Sequence, residues 1–377
     1  MPISIPEHAR LSLANPQPSF EKPRIPLEQP PNLFPVDHIS DKSDRHLMRR
    51  AELAMLAPPS GVSGQPVRAQ PAFGPGISFD LRKVSFVHGN EAWPAGRLEV
   101  SGLTYDPARN ELYLVLDEQG GVYRLSNLPT SWSNEANLKT AFKDIRAERI
   151  EIDSIFGKDL DLEGTAFVDG SLYLVASGKN KPETQFYRCF QKDGRWVGGG
   201  TPMVLQHPEL NNIEGLTYNP DTKSFVFMCK GAKGDKATTR AALSLKKEAW
   251  QAGKEANLQS EFTLKLADLN AKLGADKLEH CHPSGISYDS ATKTYTVIGS
   301  AKGKFEATLD IHGGEARVLS AKRLNSVLCP QPEGITHIPA GHGAFFRILA
   351  NEEQKKKGGN GSQNPEPTKI VFQPPAS

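Results

Sequence analysis

The chain has 377 residues, a formal net charge of +2 at pH 7, 38% hydrophobic and 23% charged residues, which suits a folded globular protein. This near-neutral balance argues against nucleic acid or an anionic membrane as a partner, and no run of 18 apolar residues predicts a transmembrane helix. Four cysteines, Cys189, Cys229, Cys281 and Cys329, lie far apart without a CxxC pair. We expect them to be reduced thiols packed within the fold.

Residues 1–75 contain 14 of the 29 prolines. Proline lacks a backbone donor and restricts the residue before it, so these residues are predicted to form a flexible, mostly irregular arm. One short helix is predicted near residues 44–57, before Pro58-Pro59. The first 20 residues lack the basic and apolar regions of a standard secretory signal. The alternatives are a cytoplasmic protein or a bacterial effector exported by a specialised secretion system.

From residue 76 onward the chain repeats a short unit five times. Each unit is a five-residue strand segment with glycine in second place: SGLTY at 101–105, EGTAF at 163–167, EGLTY at 214–218, SGISY at 284–288 and EGITH at 333–337. A turn and a second strand follow each unit, and their composition predicts hairpins. The predicted second strands are Leu112–Leu116, Leu172–Ala176, Ser224–Met228, Thr294–Ile298 and Ala344–Leu349.

The repeat predicts an all-β protein, a β-propeller of about five blades over residues 76–373, with six blades as the alternative and a tail at 374–377. Successive units begin 62, 51, 70 and 49 residues apart, longer than usual propeller repeats of roughly 40–50 residues. The Lys-, Ala- and Gln-rich stretch 232–261 is interpreted as an insertion in the third unit. A solenoid is the competing repeat fold, but its units are usually shorter and more uniform. We expect a monomer.

The N-terminal strand is predicted to close the propeller. The last unit ends after Lys369–Phe372, which leaves it without a fourth strand, whereas Ile77–Val87 is a strand run without a hairpin partner. Pairing the two would remove the sheet edges that an open array exposes.

The unit starts and the second-strand ends are expected on the same face, near the central channel. Glu163, Glu214 and Glu333, with Asp161 just before the first, would cluster carboxylates around one axis. Like charges in proximity raise pKa values or require a cation, and hard oxygen ligands favour Ca²⁺. The sequence therefore predicts a calcium site there. The competing interpretation is that each glutamate only caps the backbone of a neighbouring blade.

The second-strand ends supply candidate ligand-binding residues, namely Asp117, Glu118, Lys179, Lys230, Lys302 and Glu352. The lysines would complement a small anionic ligand such as a phosphate or carboxylate, and a protein partner is the alternative occupant of this face. Ser101 and Ser284 lack a GxSxG elbow, so neither is expected to be a nucleophile. In His280-Cys281-His282, adjacent side chains alternate in direction, which argues against one shared zinc ion.

These units resemble the SdiA-regulated (YjiK-like) family of bacterial β-propellers over roughly residues 95–373. The most specific segments are IEGLTYNPDTKSFVFMCKG at 213–231, HPSGISYDSATKTYTVIGS at 282–300 and QPEGITHIP at 331–339. The resemblance implies a propeller with, in some relatives, a cation in the channel, and it implies no reaction. DLEGTAFVDGSLYLVASGK at 161–179 is more weakly similar to calcium-dependent apyrases, and the Glu-Gly opening is shared with gluconolactonase-type lactonases.

Two classes of function follow from this sequence. The first is a propeller whose acidic, calcium-binding channel face binds a ligand or a protein. The alternative is a calcium-dependent hydrolase of a phosphoester or lactone, in which the metal would polarise the substrate oxygen. The sequence names no catalytic residue.

Overall fold

The computed structural model describes residues 76–89, 91–94, 98–117, 121–129, 135–152, 160–178, 181–210, 212–231, 238–300, 303–341, 344–351 and 368–373. The predicted arm and its helix, and the tail at 374–377, lie outside the described residues. In the part that is described, no helix is long and apolar enough to cross a membrane.

The described chain forms five four-stranded antiparallel blades, which confirms the predicted propeller. The first blade consists of β3 (Val100–Asp106), β4 (Glu111–Leu116), β5 (Gly121–Ser126) and β6 (Arg146–Ile150). The second consists of β7 (Asp161–Val168), β8 (Ser171–Gly178), β9 (Lys181–Lys192) and β11 (Met203–Gln206). The third consists of β12 (Ile213–Asn219), β13 (Ser224–Cys229), β14 (Thr239–Lys246) and β16 (Gln259–Lys265).

The last two blades follow the same order. The fourth consists of β17 (Pro283–Asp289), β18 (Thr294–Gly299), β19 (Phe305–His312) and β20 (Glu315–Arg323). The fifth consists of β21 (Pro332–Gly341), β22 (Ala344–Asn351), β23 (Lys369–Gln373) and β1 (Ile77–Asp80). Short additions lie at the blade edges: β2 (Ser85–Phe86), β10 (Arg195–Gly198), β15 (Glu255–Asn257), and two helices, α1 (Glu135–Ala141) and α2 (Leu266–Leu273).

The N-terminal strand closes the fifth blade, as predicted, but only its first four residues do so. Strand β1 pairs with β23 from Ile77 opposite Phe372 to Asp80 opposite Lys369. Asp80 then accepts a hydrogen bond from the Arg82 backbone N–H, which starts a short 3₁₀ turn. The prediction of one continuous strand over 77–87 was therefore wrong, because the chain turns and β2 pairs with β6 of the first blade instead.

The stretch 232–261 is not a simple insertion, which corrects the sequence-based interpretation. It contains β14, the third strand of its blade, and the start of β16, the fourth. The additional length of this unit lies in β15 and in α2, whose Leu266, Leu269 and Leu273 pack into the core. Alternation in β14 was obscured because the charged Arg240 occupies a buried position and the adjacent Ala242 and Leu243 are both buried.

The core lies between the blades. Five clusters of buried apolar side chains occupy the described structure, one at each junction between successive blades, including the junction between the fifth and the first. All four cysteines are buried free thiols, as expected. Burial of these layers against each other supplies the main driving force for the closed ring.

The five inner strands contact one another in a closed ring, β3 to β7, β12, β17, β21 and back to β3. The glycine in second place of each unit allows neighbouring inner strands to come this close, because it has no side chain. A Cβ atom built on Gly164 would lie 2.9 Å from the backbone nitrogen of Leu216, and one on Gly215 would lie 3.0 Å from that of Ile286. We call Gly102, Gly164, Gly215, Gly285 and Gly334 the glycine ring.

Removing residues 1–92 should expose the edge of β23 and cause aggregation, because β1 and the fully buried Leu81 are lost with them. Removing residues 1–70 should leave a soluble, monodisperse protein with cooperative melting. Size-exclusion chromatography and thermal melts distinguish the two. Identical behaviour of the two truncations would contradict the closing role of β1.

Gly215→Ala should lower the free energy of unfolding by about 1–3 kcal/mol, the usual cost of overpacking a tight site. The added methyl group would meet backbone atoms of the next blade, which cannot move as a side chain can. Gly89→Ala is the matched control, because a Cβ there meets no atom within 4 Å. Equal stability of the two variants in denaturant titration would show that the inner strands are not held this closely.

Candidate functional site at the acidic mouth of the channel

Each inner strand has a β-bulge at its unit start. The pairing with the second strand shifts register between Leu162 and Gly164 in the second blade and between Ile213 and Gly215 in the third, with the same shift in the other three blades. A bulge leaves one residue outside the ladder and redirects its side chain. The residues at the five bulges are the predicted unit starts, Ser101, Glu163, Glu214, Ser284 and Glu333.

The unit starts and the second-strand ends lie on one face, as predicted. Asp161 pairs with Ser177, and Ile213 with Cys229. The Lys230 backbone N–H then donates to the Asn212 carbonyl at 2.8 Å. We call this end of the channel the acidic mouth and define it by Glu163, Glu214, Glu333, Asp161 and Lys230.

The three glutamates are buried and hydrogen-bonded. Ser177 Oγ donates to Glu163 Oε1 at 2.7 Å, and Gln331 Nε2 donates to Glu333 Oε1 at 3.1 Å. Glu214 Oε1 accepts two bonds, from Asn212 Nδ2 at 2.6 Å and from Lys230 Nζ at 2.8 Å. The side chains are therefore held in place rather than free to rotate.

Burial is the main cause that raises the pKa values of two carboxyl groups in the acidic mouth. Burial raises the pKa of Glu163 well above its ordinary value of 4.5, and the charges of Glu214 and Asp161 raise it further. Burial also raises the pKa of Glu214, although the ammonium group of Lys230 opposes the shift. One lysine thus does not fully offset the cost of burying these carboxylates.

Lys230 is the internal cation of the cluster. Burial alone would lower the pKa of its ammonium group, but the charge and hydrogen bond of Glu214, followed by the charges of Glu333 and Glu163, raise it above 10.5. Lys230 therefore stays charged at neutral pH and is ion-paired with Glu214.

The two serine unit starts make structural contacts. Ser284 is fully buried and its Oγ donates to the Pro332 carbonyl of the next blade at 2.5 Å. Ser101 Oγ donates to the Glu99 carbonyl at 3.4 Å. Both hydroxyls therefore bind backbone carbonyls near the bulges.

The remaining predicted residues fall into two groups. Asp117 directly follows β4, is half-buried and donates its backbone N–H to the Glu99 carbonyl at 2.8 Å. The other four lie outside the described residues: Glu118, Lys179, Lys302 and Glu352. Their predicted roles in ligand binding stay predictions.

The predicted calcium site is not assembled by the side chains as they lie. Within the described ranges, no three His, Cys, Asp or Glu side chains are close enough together to hold a metal ion. The segment His280-Cys281-His282 likewise forms no such group. Its two imidazole centroids are 5.7 Å apart, and burial raises the pKa of the Cys281 thiol to about 12. In the acidic mouth, the ammonium group of Lys230 is paired with Glu214, so it competes with a metal ion for this carboxylate.

Sequence reasoning missed the supporting role of the residues two places before each glutamate. Asp161, Asn212 and Gln331 occupy this position, and Asn212 and Gln331 donate to the glutamate that follows. Because strand side chains alternate, residues two apart tend to share a face, so the repeated polar-x-Glu spacing was a usable signal. Ser177 lies on the paired strand and had no such signal.

No protein-family model and no curated protein matches the chain. Similar solved structures include a luciferin-regenerating enzyme with 9% identity and a TM-score of 0.42, covering 80% of this chain and 95% of that one. A gluconolactonase from Xanthomonas campestris has 11% identity and a TM-score of 0.41, with 79% and 89% covered. Regucalcin, a calcium-binding protein from Agrobacterium tumefaciens, has 10% identity and a TM-score of 0.37, with 74% and 93% covered. Membership of the SdiA-regulated family stays a prediction.

Glu163→Gln should raise the melting temperature at pH 7. Burial disfavours the ionised form of Glu163, so the folded state binds this proton more tightly than the unfolded state does, and wild-type stability falls as the pH rises above about 4.5. The amide keeps the hydrogen bond from Ser177 without the charge. The gain should disappear below pH 4.5, where the carboxyl is protonated in both states.

Melting curves from pH 4 to pH 8 test this expectation, with Glu248→Gln, at an exposed position, as the control. A rise in melting temperature that is the same at every pH, or a fall at pH 7, would contradict the inference that burial destabilises the ionised form of Glu163.

Proposed function

We propose that this propeller is a binding module whose acidic mouth takes the positively charged group of a ligand or of a protein partner. The observation that supports this most directly is that the pKa values of Glu163 and Glu214 are raised even though Lys230 lies among the carboxylates. A second cation would favour the ionised carboxyl groups and so offset the cost of burying them, which is a physical reason for binding at this position.

The charges of the acidic mouth favour a cation over an anion. Glu163, Glu214, Glu333 and Asp161 bring four carboxyl groups against the one ammonium group of Lys230. Lys230 is already ion-paired with Glu214 at 2.8 Å, which offsets its charge for an approaching anion. The proposal of an anionic ligand therefore depends on Lys179 and Lys302, which lie outside the described residues.

The ammonium group of Lys230 indicates which kind of cation this mouth accommodates. It forms a 2.8 Å charge-assisted bond with Glu214 and interacts favourably with Glu333 and Glu163. A ligand amine, or a Lys or Arg side chain of a protein partner, would use the same carboxylate chemistry. Calcium is the competing occupant. To bind it, the carboxylate oxygens would have to move from their present positions. The hydrolase alternative depends on that metal and gains no separate support from the geometry.

Titration calorimetry at fixed ionic strength tests the proposal with two probes, calcium chloride and the amine of N-acetyl-lysine methylamide. The wild-type protein, treated with chelator beforehand, should bind one of them saturably. Binding should tighten as the pH rises from 5 to 8, because the raised pKa values of Glu163 and Glu214 keep part of these carboxyl groups protonated at lower pH.

Two variants with opposite expected effects make the test specific. Glu214→Gln should weaken binding about tenfold or more, the equivalent of one lost charged contact. Lys230→Met should strengthen it, because the internal cation is gone, and circular dichroism checks that this variant is folded. Glu248→Gln changes the net charge equally at an exposed position and should have no effect. The absence of saturable binding of either probe by the wild type would overturn the proposal.

A further inference from the structure

The opposite end of the channel holds a cavity of about 230 Å³. The last residue of each repeated unit lines it, namely Tyr105, Phe167, Tyr218, Tyr288 and His337. We call this ring of five equivalent positions the aromatic mouth. The acidic mouth lies at the unit starts, so the same five strands present carboxylates at one end and aromatic rings at the other.

The two mouths are separated by the glycine ring. The space there is only about 10 Å³, close to the smallest volume that holds one water molecule. A ligand larger than a water molecule therefore does not fit in the space at the glycine ring. Binding at the aromatic mouth is a separate property, and it does not depend on the function proposed for the acidic mouth.

The rings of the aromatic mouth are fixed by contacts within and between the blades. Phe167 stacks on Tyr113 with the ring planes 3° apart and the centroids 5.4 Å apart. Tyr288 lies 4.9 Å from Tyr295, and its hydroxyl donates to Asp221. Rings held in this way lose little freedom when a ligand packs on them, which favours binding.

A layer of hydroxyl groups lies one residue deeper. Thr104 Oγ1 accepts a hydrogen bond from the Phe167 backbone N–H at 2.9 Å, and Thr217 Oγ1 accepts one from the Tyr288 N–H at 3.1 Å. Each threonine hydroxyl can also donate its own proton, and in the described structure no acceptor takes it. These protons are available to a ligand oxygen.

Thr165 adds a buried polar atom below this layer. The equivalent position holds an aliphatic side chain in the other four blades: Leu103, Leu216, Ile286 and Ile335. Thr165 is 1% exposed, lines both the cavity and the glycine-ring space, and its Oγ1 has no hydrogen-bond partner among the described residues. Buried hydroxyl groups are normally satisfied, so this atom points to a polar group that binds at the bottom of the cavity.

The lining carries no carboxylate, ammonium or guanidinium group among the described residues. Its one titratable base is His337, which forms a 2.9 Å hydrogen bond with Ser287. Burial, and next the charge of Arg347, lower the pKa of His337 to about 4, so the imidazole is neutral at pH 7. The cavity is therefore aromatic and rich in hydroxyl groups, but uncharged.

We propose that the aromatic mouth binds a small neutral polyhydroxylated ligand of the size of one sugar ring. Its apolar C–H face packs on the rings of the aromatic mouth, and its hydroxyl groups bond with Thr104, Thr217 and Thr165. The cavity volume lies below the roughly 300–1,000 Å³ of pockets for larger organic ligands, which limits the ligand to a single ring. Aromatic and hydroxyl groups together provide the apolar surface and the orienting bonds that such a ligand needs.

Saturation-transfer NMR and calorimetry on the full chain test this proposal. The probes are the methyl glycosides of glucose, galactose and N-acetylglucosamine, with glucuronate, glucosamine and tetramethylammonium as charged comparators. At least one neutral glycoside should bind saturably, and more tightly than any charged comparator. Failure of all three glycosides to bind, or preference for tetramethylammonium or another charged probe, would overturn the proposal.

Variants locate the binding. Tyr218→Ala should weaken the affinity for the glycoside about tenfold or more. Thr165→Val replaces the hydroxyl by a methyl group of similar size, so it should weaken binding several-fold while leaving the melting temperature unchanged or higher. Glu214→Gln, at the acidic mouth, should bind the glycoside as the wild type does. Unchanged affinity in both cavity variants, or loss of glycoside binding in Glu214→Gln, would contradict this location.

Discussion

The close approach of five inner strands around one axis is the constraint on which the rest of this molecule depends. Each strand places a glycine against the backbone of the next, and in four of the five cases an added Cβ would come within 3.0 Å of a neighbouring backbone atom. Backbone cannot yield as a side chain does, so the spacing is set by the absence of side chains at these positions. The five apolar clusters between blades then pack at the distance that this ring imposes.

The same constraint creates a channel with two unlike ends. At one end, a bulge directly before each glycine takes one residue out of the ladder, and three of those five residues are glutamates. Their carboxyl groups are buried in proximity, which raises the pKa values of Glu163 and Glu214 and recruits Lys230 as an internal cation. Burial of like charges lowers stability, and such an arrangement is typical of functional positions rather than of packing.

At the other end, beyond the glycine ring, lies a cavity whose lining includes aromatic and hydroxyl groups. The contrast is chemical: carboxylates select for positive charge, whereas an uncharged aromatic cavity selects for shape, apolar surface and hydrogen bonds. The space at the glycine ring is small, so the two proposed sites are separate on one scaffold.

The sequence by itself determined the repeat, the hairpins and the position of the charged face. Alternating strands, turn residues and the unit glycine are local signals, and they identified the five inner strands, their partners and the face shared by Glu163 and Lys230. Tertiary structure alone decided the rest. The extent of the closing strand depended on which sheet edges Ile77–Asp80 and Ser85–Phe86 met. The metal prediction depended on where Lys230 places its ammonium group. The aromatic mouth depended on which side chains of the five inner strands surround one cavity. These outcomes are distances between residues remote in sequence, which no local pattern encodes.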